Sequence, residues 1–328
     1  MLKDNFGRIV NYLRLSVTDR CDFRCVYCMA EEMQFVKREE LLTIEEMTLV
    51  ATAFTELGVS KIRVTGGEPL IRRNIITLFE NLGKLEQLKE LTLTTNGSQL
   101  KKLSQQLIET GVKRVNISLD SLKEKRFQSI TRTGELKTVL EGIDSAIETG
   151  LRVKINSVIL KNRNSDEVVD LINFIVNKKI DISFIEEMPL GVIDEHNRKE
   201  EFVSSKTLRD IIQSRFSLLP TEASDVTSGP SRYWKIKGHQ SNVGFISPHS
   251  ENFCQTCNRV RLTATGQLLL CLGNEHSVDL KSVVREHPNN ISLLKKTILD
   301  AMNIKPEAHD FTLAETPQIL RFMNTTGG

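Results

Sequence analysis

A chain of 328 residues with a formal net charge of +2 is long enough to bury a sizeable core. Its near-neutral balance gives no global reason to bind nucleic acid, so any anion site must be local. Hydrophobic residues at 39% and charged residues at 26% suit a globular enzyme in water, and no apolar run is long enough to cross a bilayer. Met1 to Val10 lacks the apolar core of a signal peptide. The expected location is therefore the cytoplasm, where the six cysteines are expected as ligands rather than disulfides.

In chain order, Tyr12 to Val17 alternates apolar and polar residues, a strand by period. Residues 43 to 57 read as a helix, with Thr43 and Glu46 as a capping box and Gly58 as the stop. Strands are predicted at Lys61 to Thr65, Glu90 to Thr94, Val112 to Leu119, Leu151 to Leu160 and Asp181 to Glu186. The predicted helices between and after them start at Asn74, end at Gly111 and Gly150, span Asp166 to Lys178 and run near Lys206 to Arg215.

Six strand–helix units in a row predict an α/β chain with a parallel sheet. No Gly-x-Gly-x-x-Gly follows the first strand, which argues for a complete or partial barrel over a dinucleotide-binding sheet. Barrels place their chemistry at the C-terminal strand ends. The Cys21 loop, Gly66-Gly67-Glu68, Thr94-Thr95-Asn96, Ser118-Leu119-Asp120, Asn156 and Met188 all fall there. From Pro220 to Pro230 the composition turns to Ser, Thr, Gly and Pro, a linker. Short strands (Tyr233 to Ile236, Gly244 to Ile246, Val260 to Leu270) and helices near 279 to 286 and 291 to 302 follow, a smaller α+β extension. The division is expected at 222/223, a larger unit over 1–222 and a smaller one over 223–328.

Cys21, Cys25 and Cys28 are spaced by three residues and then two. Soft thiolates suit an iron–sulfur cluster, zinc or copper(I). A structural zinc wants four ligands, whereas a four-iron cubane with three thiolates leaves one iron open to a small molecule. A zinc knuckle, or three core thiols, is the plainer alternative. Cys254, Cys257 and Cys271 form a second trio, so no cysteine is left over. Arg259 and Arg261 lie on one side of a strand beside it, and their planar forks grip phosphate oxygens. An anionic-substrate pocket explains that pairing; a solvated basic strand face would be the default without the cysteines.

The Cys-x3-Cys-x2-Cys spacing, with Tyr27 before the last cysteine, resembles the radical S-adenosylmethionine (SAM) family. Thr65-Gly66-Gly67-Glu68-Pro69 matches that family's glycine-rich loop, beside which a carboxylate can bind an ammonium group. The resemblance implies that Tyr27, Gly67, Ser118 and Met188 contact SAM. Read alone, Ser118 is a turn or cap hydroxyl and Met188 is core filler.

Over nearly its full length the chain resembles the GTP 3′,8-cyclase family of molybdenum cofactor biosynthesis. The matching stretches include Phe6-Gly7-Arg8, residues 12–21, 63–70, 93–97, 116–120, 154–156 and 184–189, Cys254-x2-Cys257-Asn-Arg-Val-Arg-Leu and the terminal Gly327-Gly328. The resemblance implies a partial TIM-like (β/α)6 radical SAM barrel with a C-terminal domain carrying a second cluster. Both trios would hold a [4Fe–4S] cluster. Arg14, Arg63, Thr94, Lys154, Arg259 and Arg261 would line the GTP site, with Lys61 a further candidate, and the double-glycine tail would thread toward it. The implied reaction cleaves SAM reductively. The adenosyl radical takes hydrogen from C3′ of GTP, and the C3′ radical adds to guanine C8.

Implied partners are GTP, a flavodoxin- or ferredoxin-like electron donor and the downstream cyclic pyranopterin monophosphate synthase, with a homodimer left open and neither nucleic acid nor membrane. The chain departs from the family at Asp22 (usually Asn), Ala30 (often Pro) and Ser183 (usually Arg, near the substrate), where Arg152 or Lys61 is a candidate replacement. A radical SAM enzyme acting on a peptide, and a zinc-bearing nucleic-acid binder, are the alternatives.

Overall fold

The computed structural model describes residues 1–193, 197–221, 229–312 and 319–327. Its centre is six parallel strands side by side in chain order: β1 (Tyr12–Ser16), β2 (Lys61–Thr65), β3 (Glu90–Thr95), β4 (Val112–Ser118), β5 (Arg152–Val158) and β6 (Asp181–Ile185). Between them run α1 (Ile44–Glu56), α2 (Ile75–Gly83), α3 (Leu100–Glu109), α4 (Glu124–Thr131), α5 (Leu136–Glu148) and α6 (Val168–Lys178). After β6 come α7 (Arg198–Glu201) and α8 (Ser205–Gln213). This is the expected partial (β/α)6 barrel.

The rest of the chain completes both edges of the same sheet. Its strands are β7 (Leu218–Pro220), β8 (Arg232–Ile236), β9 (Asn242–Ile246), β10 (Arg259–Leu262), β11 (Gln267–Leu269) and β12 (Ser277–Asp279). β9 pairs in parallel with β6, and β10 in parallel with β1. The described sheet is open, running from β12 at one edge to β7 at the other. Helices α9 (Leu280–Glu286), α10 (Ile291–Ala301) and α11 (Met323–Thr326) follow. The expected division at 222/223 and most of the linker lie outside the described residues.

Alternation along each strand decides what the sheet encloses. On β1, Leu13 and Leu15 are buried in the core with Ile62 and Val64 of β2 and with Met47, Val50 and Phe54 of α1. The intervening positions, Tyr12, Arg14, Lys61 and Arg63, line a cavity on the other face. The same holds for Val115 and Ile117 against Asn116 and Ser118, and for Val153 and Ile155 against Lys154 and Asn156. A closed TIM barrel fills its interior with branched apolar side chains; here the inward positions are charged and polar.

Several elements follow their predicted signals. Thr43 and Glu46 form the capping box of α1, and Gly58, at φ +101, takes the turn that ends it. Others differ. The run Val260 to Leu270 is two antiparallel strands, β10 and β11, with a turn in which the N–H of Gly266 donates to the carbonyl of Thr263. The β-favouring residues on both sides of that turn disguise it as one strand. The loop before α5 contains a further helix, α4, which buries only Phe127, Ile130 and Thr131.

Candidate active site

The two cysteine trios open into one cavity of about 1660 Å³. Cys21, Cys25 and Cys28 come from the loop after β1; Cys254 and Cys257 precede β10, and Cys271 follows β11. The parallel pairing of β1 with β10 brings the two segments to neighbouring strands. No fourth cysteine exists for either trio.

The first loop is tight. The carbonyl of Cys25 accepts from the N–H groups of Cys28 (3.0 Å) and Met29 (3.3 Å), and Cys21 Sγ accepts from the Phe23 N–H at 3.3 Å. Burial, and the neighbouring thiols, push Cys25 well above an ordinary thiol; burial pushes Cys28 up to about 12. At the second trio burial also raises Cys257, but the cations of Arg259 and Lys305 outweigh it and bring it down to about 7. Among the described residues no three His, Cys, Asp or Glu side chains gather as they would round a single ion. The fit to a larger centre therefore rests on donor chemistry. Each trio offers three soft thiols, buried or partly buried, to one cavity, and coordination is what deprotonates such groups.

The glycine pair serves the cysteine loop. A Cβ at Gly67 would lie 2.3 Å from the Arg20 carbonyl oxygen, and one at Gly66 2.7 Å from that of Thr18. The Gly67 N–H donates to Thr18 (2.7 Å) and the Glu68 N–H to Arg20 (2.8 Å). What these glycines admit is the backbone leading into Cys21. Glu68 is likewise engaged. Its buried carboxyl accepts from Leu70 N–H (2.9 Å), Thr95 Oγ1 (2.8 Å) and Asn96 N–H (2.6 Å), and burial lifts it to about 8. It braces two loops, a task that its reading as an ammonium-binding carboxylate did not include.

The other expected SAM-side residues, Tyr27, Ser118 and Met188, line the same cavity. Tyr27 Oη donates to Asp120 Oδ2 at 2.6 Å, which fixes the ring beside the first trio.

A cationic wall stands at β10, β1 and β2. Arg14 lies opposite Arg261 on one side and Arg63 on the other; Tyr12 lies opposite Arg259 and Lys61. Burial and the neighbouring cations of Arg63 and Arg259 pull Arg14 down to about 10, and burial with Arg14 and Arg259 pulls Arg261 well down. Burial would raise the Tyr12 phenol, but Arg63, Arg14 and Lys61 outweigh it and lower it to about 7. Arg63 Nε donates to Tyr12 Oη at 2.6 Å, and its Nη1 reaches Thr94 Oγ1 at 3.3 Å. Lys61 forms an ion pair with Glu90 at 2.7 Å. Facing cations repel one another, so a bound anion would relieve the wall. The carbonyl oxygen of Gly327 accepts from Arg14 (3.2 Å) and Arg261 (2.5 Å), so the tail reaches this wall. Gly328 lies outside the described residues.

Two family models divide the chain: Radical SAM superfamily over residues 15–175 and Molybdenum Cofactor Synthesis C over residues 180–311. GTP 3′,8-cyclase of Saccharophagus degradans is 56% identical over 328 residues, 100% of this chain and 98% of the relative. That of Pseudomonas entomophila is 57% identical over 329 residues, with the same coverage. The chain belongs to the GTP 3′,8-cyclase family. Within solved structures, Streptococcus suis SuiB bound to precursor peptide SuiA shares the fold with a TM-score of 0.65 at 16% identity, over 92% of this chain and 66% of that one. SuiB bound to S-adenosylmethionine gives a TM-score of 0.63 at 14% identity, over 98% of this chain and 78% of that one.

Ser183, where the resemblance led to the expectation of an Arg, is buried. Its Oγ accepts from Lys154 Nζ at 2.9 Å and lies 2.7 Å from Ser231 Oγ; Lys154 Nζ also donates to Tyr233 Oη at 3.0 Å. A Cβ at Gly244 would meet Ser231 Oγ at 2.1 Å and Ser183 Oγ at 2.6 Å, so that glycine leaves room for the cluster. The group beside Lys154 is thus Tyr233. Arg152 and Lys61, the expected replacements, line the cavity from other strands.

The roles of Tyr12, Tyr233 and Lys305, and the task of Asp120 as the partner of Tyr27, escape the sequence reading. Tyr12 has a usable signal, two residues before Arg14 on the same strand face. The other three are recruited from segments whose proximity only the fold creates.

Proposed function

We propose that this chain converts GTP to 3′,8-cyclo-7,8-dihydro-GTP in molybdenum cofactor biosynthesis, a lyase that forms a carbon–carbon bond. The observation that carries the reading is the single cavity into which two three-thiol loops and a cationic wall open. Cys21, Cys25 and Cys28 would hold a [4Fe–4S] cluster that binds SAM; Cys254, Cys257 and Cys271 would hold a second one, facing the purine. When bound, the first cluster and SAM supply a one-electron reductive cleavage that yields a hydrogen-abstracting adenosyl radical.

The chain's own part is placement. Tyr27, held by Asp120, Gly67, Ser118 and Met188 would seat SAM. Arg14, Arg63, Arg259 and Arg261 would neutralise the triphosphate, and Thr94 and Lys154 would fix the rest of GTP. Holding C3′ beside the adenosyl 5′ carbon would turn an encounter into a unimolecular step, which supplies much of such rate gains. The Gly327 carbonyl occupies Arg14 and Arg261 until an anion competes for them.

The expected electron donor is flavodoxin- or ferredoxin-like, and the expected recipient is cyclic pyranopterin monophosphate synthase. The division into a barrel (1–222) and a cluster-bearing C-terminal domain (223–328), the cytoplasmic location and a homodimer belong to the same proposal. Anaerobic reconstitution should give about eight irons per chain, from two four-iron cubanes. Turnover with GTP, SAM and dithionite should then give a cyclised purine. Release of 5′-deoxyadenosine with GTP unchanged would assign the chain a different substrate, and zinc without iron would reject the reading.

A further inference from the structure

Lys305 lies 48 residues from Cys257 in sequence yet is only 3% exposed, with its ammonium against the second trio. Nζ donates to the carbonyl of Leu270 at 2.5 Å and to that of Arg259 at 3.2 Å, and stands 3.9 Å from Cys257 Sγ. An ammonium has three N–H donors, and these are three acceptors. Leu270 directly precedes Cys271, and Arg259 follows Cys257 by two residues. One side chain therefore ties together the two arms that carry the trio.

The charge is unusual in its company. Nearby Arg8 donates to the carbonyl of Cys254 at 2.9 Å, but its guanidinium is already paired with Asp4 at 2.6 Å. Among the described residues no carboxylate lies within ion-pair distance of Lys305, and Asp4 acts on it only from farther off; its remaining acceptor is the Cys257 sulfur. A buried ammonium with no carboxylate in contact is costly, and carbonyl dipoles answer it only in part. A thiolate-bound cluster of net negative charge would supply the missing anion.

We propose that Lys305 is a positioning residue for the second centre, fixing the spacing of Cys257 and Cys271 and stabilising the centre's reduced form by its charge and its contact with the Cys257 sulfur. This rests on the two-cluster reading above. Hydrogen bonds to cluster sulfurs and local charge are established levers on iron–sulfur potentials. A cation beside the centre favours the form with the extra electron, so its removal makes reduction harder.

The test uses the full-length chain with Cys21, Cys25 and Cys28 changed to Ala, so that one centre alone is read. After anaerobic reconstitution, its midpoint potential is followed by electron paramagnetic resonance in this parent and in Lys305→Met and Lys305→Arg. The Met variant is expected to be at least tenfold harder to reduce, a fall of about 59 mV for one electron. The Arg variant, which keeps the charge, should recover most of that shift. A Met variant that folds by circular dichroism but loses iron, while the Arg variant keeps it, supports the positioning role. An unchanged potential in the Met variant overturns the proposal. Should that variant fail to fold, Lys305→Gln supplies the uncharged comparison. A parent that takes up no four-iron centre defeats instead the reading on which the proposal rests.

Discussion

Arg14 and Arg261 stand directly opposite each other across β1 and β10 and converge on one acceptor, the carbonyl oxygen of Gly327. Two like charges facing each other in a sheet are destabilising by a fraction of a kcal/mol up to about 1 kcal/mol. Arg261→Met should therefore lower GTP affinity while leaving ligand-free stability level or raised. A lost hydrogen bond to a charged group corresponds to about 1.5–3 kcal/mol, roughly ten- to a hundred-fold in Kd. Equilibrium dialysis with GTP and a urea unfolding curve check the two halves. A variant with unchanged GTP affinity would remove Arg261 from the substrate wall.

Tyr12 should titrate near neutrality in the ligand-free protein, because three cations lower it to about 7. A folded-state value below the unfolded one adds stability as pH rises. The contribution begins near pH 7, grows toward the unfolded value near 10, and is lost as pH falls through 7. Tyrosinate absorbance near 295 nm should show this step, and Tyr12→Phe should abolish it. A bound triphosphate should move it to higher pH, since added negative charge opposes ionisation.

Gly67→Ala should disable the first trio selectively. Its Cβ would press to 2.3 Å from the Arg20 carbonyl, and neither backbone can yield without moving the segment into Cys21. The expected outcome is a folded chain that binds about half the iron of the wild type, four in place of eight. Iron analysis after anaerobic reconstitution decides it. Full iron content in the variant would show that the loop tolerates displacement.

Tyr233→Phe should weaken GTP binding without affecting iron content. The substitution removes the 3.0 Å contact with Lys154, whose other described side-chain acceptor is Ser183. A net loss of about 0.5–1.5 kcal/mol, roughly two- to ten-fold, should appear in KM for GTP and leave the cluster spectrum as it is. An unchanged KM would leave Tyr233 a packing residue.

Much of this was legible before any coordinates. Two-residue spacing put Arg259 and Arg261 on one side of a strand, the family resemblance pointed to Arg14 and Arg63, and local cysteine spacing marked both trios. What stayed hidden depends on separation along the chain. Lys305 reaches Cys257, and Asp120 reaches Tyr27 across 93 residues, through contacts that no local pattern encodes. Glu68 sat next to the expected glycines, yet its partners Thr95 and Asn96 lie on the following strand and its loop, so the residue was visible and its task was not. The turn between β10 and β11 was lost because Val260, Thr263 and Thr265 favour strands and the flanking leucines continue the apolar pattern.

The central claim is that the two trios serve one reaction across one cavity, and GTP deuterated at C3′ tests it most directly. Anaerobic turnover with SAM and dithionite should place the deuterium in 5′-deoxyadenosine, one mass unit heavier, alongside a cyclised purine. Unlabelled 5′-deoxyadenosine with intact deuterated GTP would contradict the account.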